Sequence, residues 1–389
     1  MRILVVSNAL SHDDLRQQLA DLCEGYSLQF VHNIQQAKDF INNNIVKFQL
    51  PLDLVIIYSS NNDGPSNDFR DFIRNDYERT YSNYDFNLSE LPLILIVEEE
   101  LNKRVFLGYD LTVYDLGVER LNQYVKDFAL TIKRWRKKVL VELESLGIRL
   151  NSGIIDYGTF FSEKRIITAS RIISSNFKRV PRKLNYYWLE YNKKQIEQSI
   201  DEFLKMLKRS ESIGKKGEEK LYHKFFKANK AFLLRDAYSK YWYEPRFYKK
   251  DDRFEEPDFT LKPNMTYESD LSLIEVKLPN ETFLKKSDFH KAPKQRFMQH
   301  LFQVNDYKDY LESDKFLSEI NNVLGFIPKK VNYNLLIGRQ QDKEENLYYL
   351  EKRMGQMSQQ HVKLMTFDEL MEYQVKFLER MQLLDITNY

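Results

Sequence analysis

The chain has 389 residues and is short of the residue types that mark several common chemistries. A single cysteine, Cys23, excludes an internal disulfide and a cysteine-based zinc site. Six histidines, His12, His32, His223, His290, His300 and His361, show no metal-ligand spacing, and His290 and His300 read either as neighbours of a site or, by preference, as surface residues. With only 12 glycines and 10 prolines, a large disordered fraction is not expected. No apolar run approaches the roughly 20 residues of a spanning helix. The first apolar run, Ile3-Leu4-Val5-Val6, is too short for a secretory h-region. A reduced, cytoplasmic protein is therefore expected. An excess of either charge is lacking too, with a formal net of +2.

That small net charge hides a division. Residues 1–100 hold 7 Lys+Arg against 16 Asp+Glu, a net of −9, so the remaining residues carry 52 against 41, a net of +11. An acidic front and a basic back indicate two modules. In the front, Ile3–Val6, Leu28–Val31, Leu54–Tyr58, Leu93–Val97 and Leu111–Tyr114 read as strands of a parallel sheet covered on both faces. Helical segments such as Asp14–Leu22 and Ile34–Ile41 separate them. The predicted fold here is α/β and doubly wound. The pattern resembles the receiver domain of response regulators over roughly residues 1–130, without its chemistry. Ser7-Asn8-Ala9 stands where the acidic pair belongs, and Tyr58-Ser59-Ser60 where the phosphoacceptor aspartate belongs. Mg²⁺-dependent phosphorylation is not expected of it.

Apolar residues at steps of three and four predict one long helix over 118–147. Its run Lys133-Arg134-Trp135-Arg136-Lys137-Lys138 reads either as a grip on DNA phosphates, through Lys133 and Arg136, or as a solvated helix end favoured by the dipole. Ile166–Ile173 fits strand or helix. Gln195–Leu207 is predicted helical, and Lys208–Lys216 reads as a hinge. The expected divisions are a receiver-like regulatory or assembly domain at 1–147, a connecting region at 148–216, and a catalytic domain at 217–389.

The chemistry concentrates in 218–310. Alternate residues of a strand share a face, so Glu275 and Lys277 lie side by side, with Ile274, Val276 and Leu278 opposite. Asp258, from the preceding strand, can neighbour Glu275 in an antiparallel pair. Two carboxylates make a hard oxygen site suited to Mg²⁺ or Mn²⁺. A lysine beside them can hold an attacking water or stabilise developing phosphoryl charge, which phosphodiester hydrolysis needs. Tyr238, Tyr241, Trp242, Tyr243, Phe247 and Tyr248, interleaved with Lys240, Arg246, Lys249 and Lys250, read either as a nucleic-acid surface or, by preference, as a half-buried strand with a solvated edge.

Pro257-Asp258 and Glu275-Val276-Lys277, with 16 residues between Asp258 and Glu275, match the PD-(D/E)XK nuclease pattern, and Gln303-x-x-x-Tyr307 is similar to the QxxxY helix motif of one branch of that superfamily. Glu219, Phe225-Phe226, Leu336-Ile337-Gly338-Arg339 and Leu364-Met365-Thr366-Phe367-Asp368-Glu369-Leu370 add to the likeness. Over about 217–375 the chain resembles the Shedu family of bacterial anti-phage defence proteins. Where that family usually reads E-L-K-R-P, this chain reads Glu275-Val276-Lys277-Leu278-Pro279, without the arginine.

The resemblance implies a C-terminal PD-(D/E)XK restriction-endonuclease-like domain and a homo-oligomeric, metal-dependent DNase. A tetramer acting on double-stranded phage DNA is expected. Asp258 and Glu275, with Glu219, would hold Mg²⁺ or Mn²⁺. Lys277 would position or activate water, and Gln303 would support the site. Arg339 reads as a phosphate contact or a structural ion pair, and Lys294 as a further DNA contact. The alternative is a non-catalytic DNA-binding or signalling protein on a relict nuclease fold.

Overall fold

The computed structural model describes residues 2–7, 17, 19, 26–48, 50, 52–59, 64–74, 91–97, 108–114, 121–127, 129–130, 154–156, 166–168, 185–188, 193–212, 219–235, 237–249, 253–263, 269–285 and 291–384. Two compact units divide the chain, Met1–Glu190 with Glu379–Tyr389, and Tyr191–Leu378.

In the first unit, β1 (Arg2–Ser7), β2 (Ser27–Val31), β3 (Leu54–Ser59), β4 (Leu93–Val97) and β5 (Leu111–Tyr114) form a parallel sheet in the order β2-β1-β3-β4-β5. The five strands fall where the apolar runs predicted them. Strands β1 and β4 are buried along their whole length, as a sheet covered on both faces requires. The strand order reverses between β1 and β3, the doubly wound order of receiver-like domains. Helices α1 (Ile34–Phe40) and α2 (Gly64–Arg74) belong to the same unit. Arg74 of α2 pairs with Asp110 at 2.9 Å and donates to the carbonyls of Leu91 (2.7 Å) and Gly108 (2.9 Å), fastening the helix to the sheet. A small antiparallel sheet follows in the order β6-β8-β7: β6 (Ile154–Asp156), β7 (Ile166–Thr168) and β8 (Asn185–Trp188). Residues 166–168 therefore take the strand option. Of the expected helix over 118–147, residues 121–127 and 129–130 are helical, and its basic run lies outside the described residues.

The second unit opens with α3 (Lys193–Ser212), which runs through the first part of the expected hinge. It does so because its Phe203 packs among the rings of Phe225, Phe226 and Phe232, at 5.3, 5.9 and 4.7 Å between centroids. Those rings come from α4 (Glu219–Ala228) and α5 (Ala231–Leu234). The sheet that follows has the order β15-β14-β13-β12-β9, built from β9 (Tyr238–Tyr243), β12 (Phe259–Pro263), β13 (Leu271–Val276), β14 (Val331–Leu336) and β15 (Val362–Met365). Strands β10 (Phe247–Tyr248) and β11 (Phe254–Glu255) make a separate short pair. Strands β13, β14 and β15 are parallel, and β12 and β9 are antiparallel to their neighbours.

Helix α6 (Gln295–Leu311) covers one face. Its Phe297, Leu301, Val304 and Tyr307 join a core with Leu271, Leu273, Tyr333 and Leu335. Against the other face Phe226 of α4 meets Phe259 edge-on at 5.9 Å. Helix α7 (Leu317–Leu324) follows α6, α8 (Gln340–Gln356) links β14 to β15, and α9 (Phe367–Leu384) follows β15.

The stretch from Thr366 to Leu370 has a structural meaning. Thr366 Oγ1 accepts from the Glu369 amide (3.1 Å) while Glu369 Oε2 accepts from the Thr366 amide (2.8 Å), a capping box that starts α9. Asp368 reaches across to α8, taking the Gln340 amide (2.7 Å) and the Arg339 guanidinium (2.9 and 3.1 Å). Burial works against the Asp368 carboxylate, but Arg339 and the Gln340 amide outweigh it and hold its pKa below the ordinary value. A depressed carboxylate stabilises the fold at neutral pH and loses that contribution as pH falls through its folded pKa. Asp368→Asn should lower the unfolding free energy at pH 7 by about 1 kcal/mol and by progressively less in acid. Urea melts at several pH values check this.

Candidate active site

Glu275 lies in β13, the middle strand of five, and Lys277 just past its end, and both are withdrawn from solvent. Glu275 is 1% exposed and Lys277 6%. Glu275 and Lys277 stand side by side as alternation along the strand predicts, and packing on both faces buries them along with Ile274 and Val276. Buried ions need partners. Lys277 Nζ donates to Glu275 Oε1 at 2.7 Å and to Glu219 Oε1 at 3.4 Å. Burial would lower the lysine pKa, but Glu275, Asp258 and Glu219 outweigh it and leave it raised. Burial, then the nearby Asp258 charge, pushes Glu275 up to about 7 against the opposing pull of Lys277. Glu275 Oε2 is buried and takes no hydrogen bond among the described residues.

Asp258 reaches Glu275 by register. Phe259 pairs with Ile274 in the antiparallel ladder, so one step back sets Asp258 opposite Glu275. Asp258 Oδ2 accepts from the Val276 amide at 2.7 Å, which fixes the carboxylate at the end of the strand.

Helix α4 completes the site. Glu219 and His223 are four residues apart and so share a helix face. With Asp258 they offer three ligand atoms that all lie within 4.8 Å of one another. His223 Nε2 lies 3.4 Å from Asp258 Oδ2, and Nδ1 lies 3.7 Å from Glu244 Oε1. Nε2 is buried and makes no hydrogen bond among the described residues. Burial lowers the imidazole pKa, but Asp258, Glu219 and Glu244 outweigh it and leave it raised. His223 corrects the expectation that no histidine stands at a metal-ligand spacing. The Glu219-x-x-x-His223 interval was readable as a shared helix face, but Asp258, the partner that gives it meaning, lies on another element.

Around this core, Gln303 donates to the Tyr307 hydroxyl at 2.7 Å, and that hydroxyl donates to the Glu256 carbonyl at 3.4 Å. Burial first, then Glu275, raises the Tyr307 pKa far above its usual value, so the phenol stays neutral. Gln295 and Gln299, on the same helix, are exposed. Arg339 forks onto Asp368, as described above. Lys294 precedes α6 and gives its ammonium to Thr282. Lys133 and Arg136 lie outside the described residues. Among the described residues no helix is long and apolar enough to cross a membrane.

No curated protein matches the chain in sequence. Solved response-regulator structures align with about a third of it. TrrA from Thermotoga maritima, in complex with Mg(2+)-BeF, is 22% identical, covers 33% of this chain and 97% of its own, and has a TM-score of 0.24. A two-component response regulator from Clostridium difficile is 19% identical over 33% of this chain and 95% of its own, with a TM-score of 0.25. The N-terminal domain of a response regulator receiver protein from Methanoculleus marisnigri JR1 is 13% identical over 32% and 94%, with a TM-score of 0.23. Residues 216–371 match the family model described as Shedu protein SduA, C-terminal, and that span contains every residue of the site just built. The C-terminal unit thus carries a Shedu C-terminal domain, a family that implies anti-phage defence.

Proposed function

We propose that the C-terminal unit is a metal-dependent endonuclease that hydrolyses double-stranded phage DNA, working in the cytoplasm as a homo-oligomer. One observation carries this reading. Glu219, Asp258 and Glu275 bring three carboxylates around a single buried ammonium, Lys277, a formal excess of two negative charges when all are ionised. A divalent cation balances that excess. The donor set is oxygen with one imidazole nitrogen, which suits Mg²⁺ or Mn²⁺, and the unbonded Glu275 Oε2 and His223 Nε2 are open to an ion.

Asp258, Glu219, His223 and Glu275 would hold the ion. Bound there, it supplies Lewis acidity toward a phosphoryl oxygen and lowers the pKa of water. The remaining work falls to the chain. An ammonium has three N–H donors. Glu275 and Glu219 take two from Lys277, and the third is left for an attacking water or a phosphate oxygen. Its raised pKa keeps Lys277 charged, so it stabilises negative charge that develops on the phosphoryl group. Gln303 and Tyr307 fix the wall beside Glu275.

Purified protein incubated with supercoiled plasmid should nick or linearise it with Mg²⁺ or Mn²⁺. Chelator should stop the reaction, and added metal should restore it. Intact plasmid under every metal condition, from a protein with a native melting transition, would remove the nuclease reading.

A further inference from the structure

The helix that supplies Glu219 and His223 carries a second set of residues on its adjoining face. Lys220, Lys224 and Lys227 are all exposed and follow the four-then-three spacing of a single helical stripe. None of them pairs with a carboxylate among the described residues. Lys227 Nζ lies 4.7 Å from the Tyr243 ring centroid, and that ring stands edge-on to His223 at 6.3 Å. The stripe therefore runs up to the wall of the site. It continues past the helix, where Lys230 lies 5.4 Å from the Tyr241 ring and Lys240 lies 4.4 Å from the Trp242 ring, both on the edge strand β9.

An isolated row of lysines is ordinary on a solvated helix. This row differs in its place, because it borders a buried centre with an excess of carboxylate. Such a centre repels a polyanion unless cations nearby offset it. The spacing also fits. Lys220 to Lys227 spans about 10 Å at about 1.5 Å per residue. At one phosphate per ~3.4 Å of helix axis, about three phosphate steps of one strand pass along that length, enough for each lysine to reach a phosphate.

We propose that Lys220, Lys224 and Lys227, extended by Lys230 and Lys240, form the track on which the phosphates of a DNA strand lie as it enters the Glu219/His223/Asp258 site. This rests on the nuclease reading only in taking DNA as the partner. The lysines act by position and charge and take no part in bond cleavage.

The test uses the full chain carrying Glu275→Gln, so that binding is read without cleavage, and follows a labelled DNA duplex by fluorescence anisotropy between about 50 and 200 mM salt. Each phosphate contact adds about 0.9 to the slope of log affinity against log salt. The variant Lys220→Ala/Lys224→Ala/Lys227→Ala should flatten that slope by about 2.7 and weaken binding on the order of 100-fold at 0.1 M salt. Lys352→Ala/Lys363→Ala, on α8 and the opposite edge strand β15, should leave both unchanged. An unchanged slope and affinity in the triple variant, with its melting temperature retained, overturns the track. So does displacement of the duplex by polyglutamate at equal charge, which would mark a surface for acidic protein. Plasmid cleavage by wild-type protein alongside an unaffected triple variant leaves the nuclease reading standing without the track. The expected binding loss alongside a wild-type protein that cuts nothing keeps the track and removes the nuclease reading.

Discussion

Glu275→Gln and Lys277→Met should each reduce plasmid cleavage by about a thousandfold, roughly 4 kcal/mol of transition-state stabilisation, while the folded unit persists. Both substitutions nearly keep the volume of the side chain they replace, so a loss of activity reads as lost charge. Glu275 loses an anionic oxygen that would face the metal, and Lys277 loses the ammonium that contacts both Glu275 and Glu219. Single-turnover cleavage at saturating Mn²⁺ measures the effect, and near-wild-type cleavage by either variant would sink the assignment.

The Glu275 variant carries a second signature. In metal-free protein its carboxyl is raised to about 7 from an ordinary value of 4.5, and His223 is raised as well. Each group holds its proton more tightly folded than unfolded. That stabilisation is fully present below the unfolded pKa and is lost as pH rises through the folded value. Stability of the metal-free wild type should therefore fall between about pH 5 and pH 8, by on the order of 3 kcal/mol for the Glu275 share. Glu275→Gln should flatten that slope in chemical denaturation.

Gly338→Ala should cost about 2–4 kcal/mol and, at temperatures where the variant still folds, slow cleavage as well. Gly338 follows β14 with φ of +70°, a region side chains rarely enter. An added Cβ would stand 2.9 Å from the Glu281 carbonyl oxygen and 2.9 Å from Phe283 Cζ. The position also joins two parts of the site's frame. Its amide donates to the Leu278 carbonyl (3.1 Å) and its carbonyl accepts from the Phe367 amide (3.2 Å), beside the strand end that carries Lys277. A fall in melting temperature accompanies the loss of rate if this account holds. An alanine variant as stable as wild type would contradict it.

The strands of the first unit were readable because each is a short, mostly apolar run; β1 and β4 are buried throughout, while the edge strand β2 stays partly exposed. The pairing of Glu275 with Lys277 followed from alternation along one strand. What alternation could not give was the environment. Burial of both charges depends on α4 and α6 packing against a sheet whose strand order was not deducible. His223 escaped notice for a related reason. Spacing along the chain reveals a histidine among histidines and cysteines, whereas the neighbours of His223 are carboxylates, Glu219 on its own helix and Asp258 and Glu244 away from it. Arg339 stayed ambiguous because its partner, Asp368, comes from a helix after the next strand. Lys208–Lys216 reads as a hinge from sequence, yet α3 persists to Ser212 because Phe203 and its aromatic neighbours hold it.

The ladder between β12 and β13 has a consequence for divergence. Asp258 meets Glu275 because Phe259 stands opposite Ile274, and no number of intervening residues enters that condition. Chain can be gained or lost between the two strands without moving either carboxylate, provided the pairing holds. A slip of a single residue, with no change in length at all, would turn one of them to the far side of the sheet. Across descendants of such a domain the interval from aspartate to glutamate should therefore drift freely, while the parity of the pairing stays under selection.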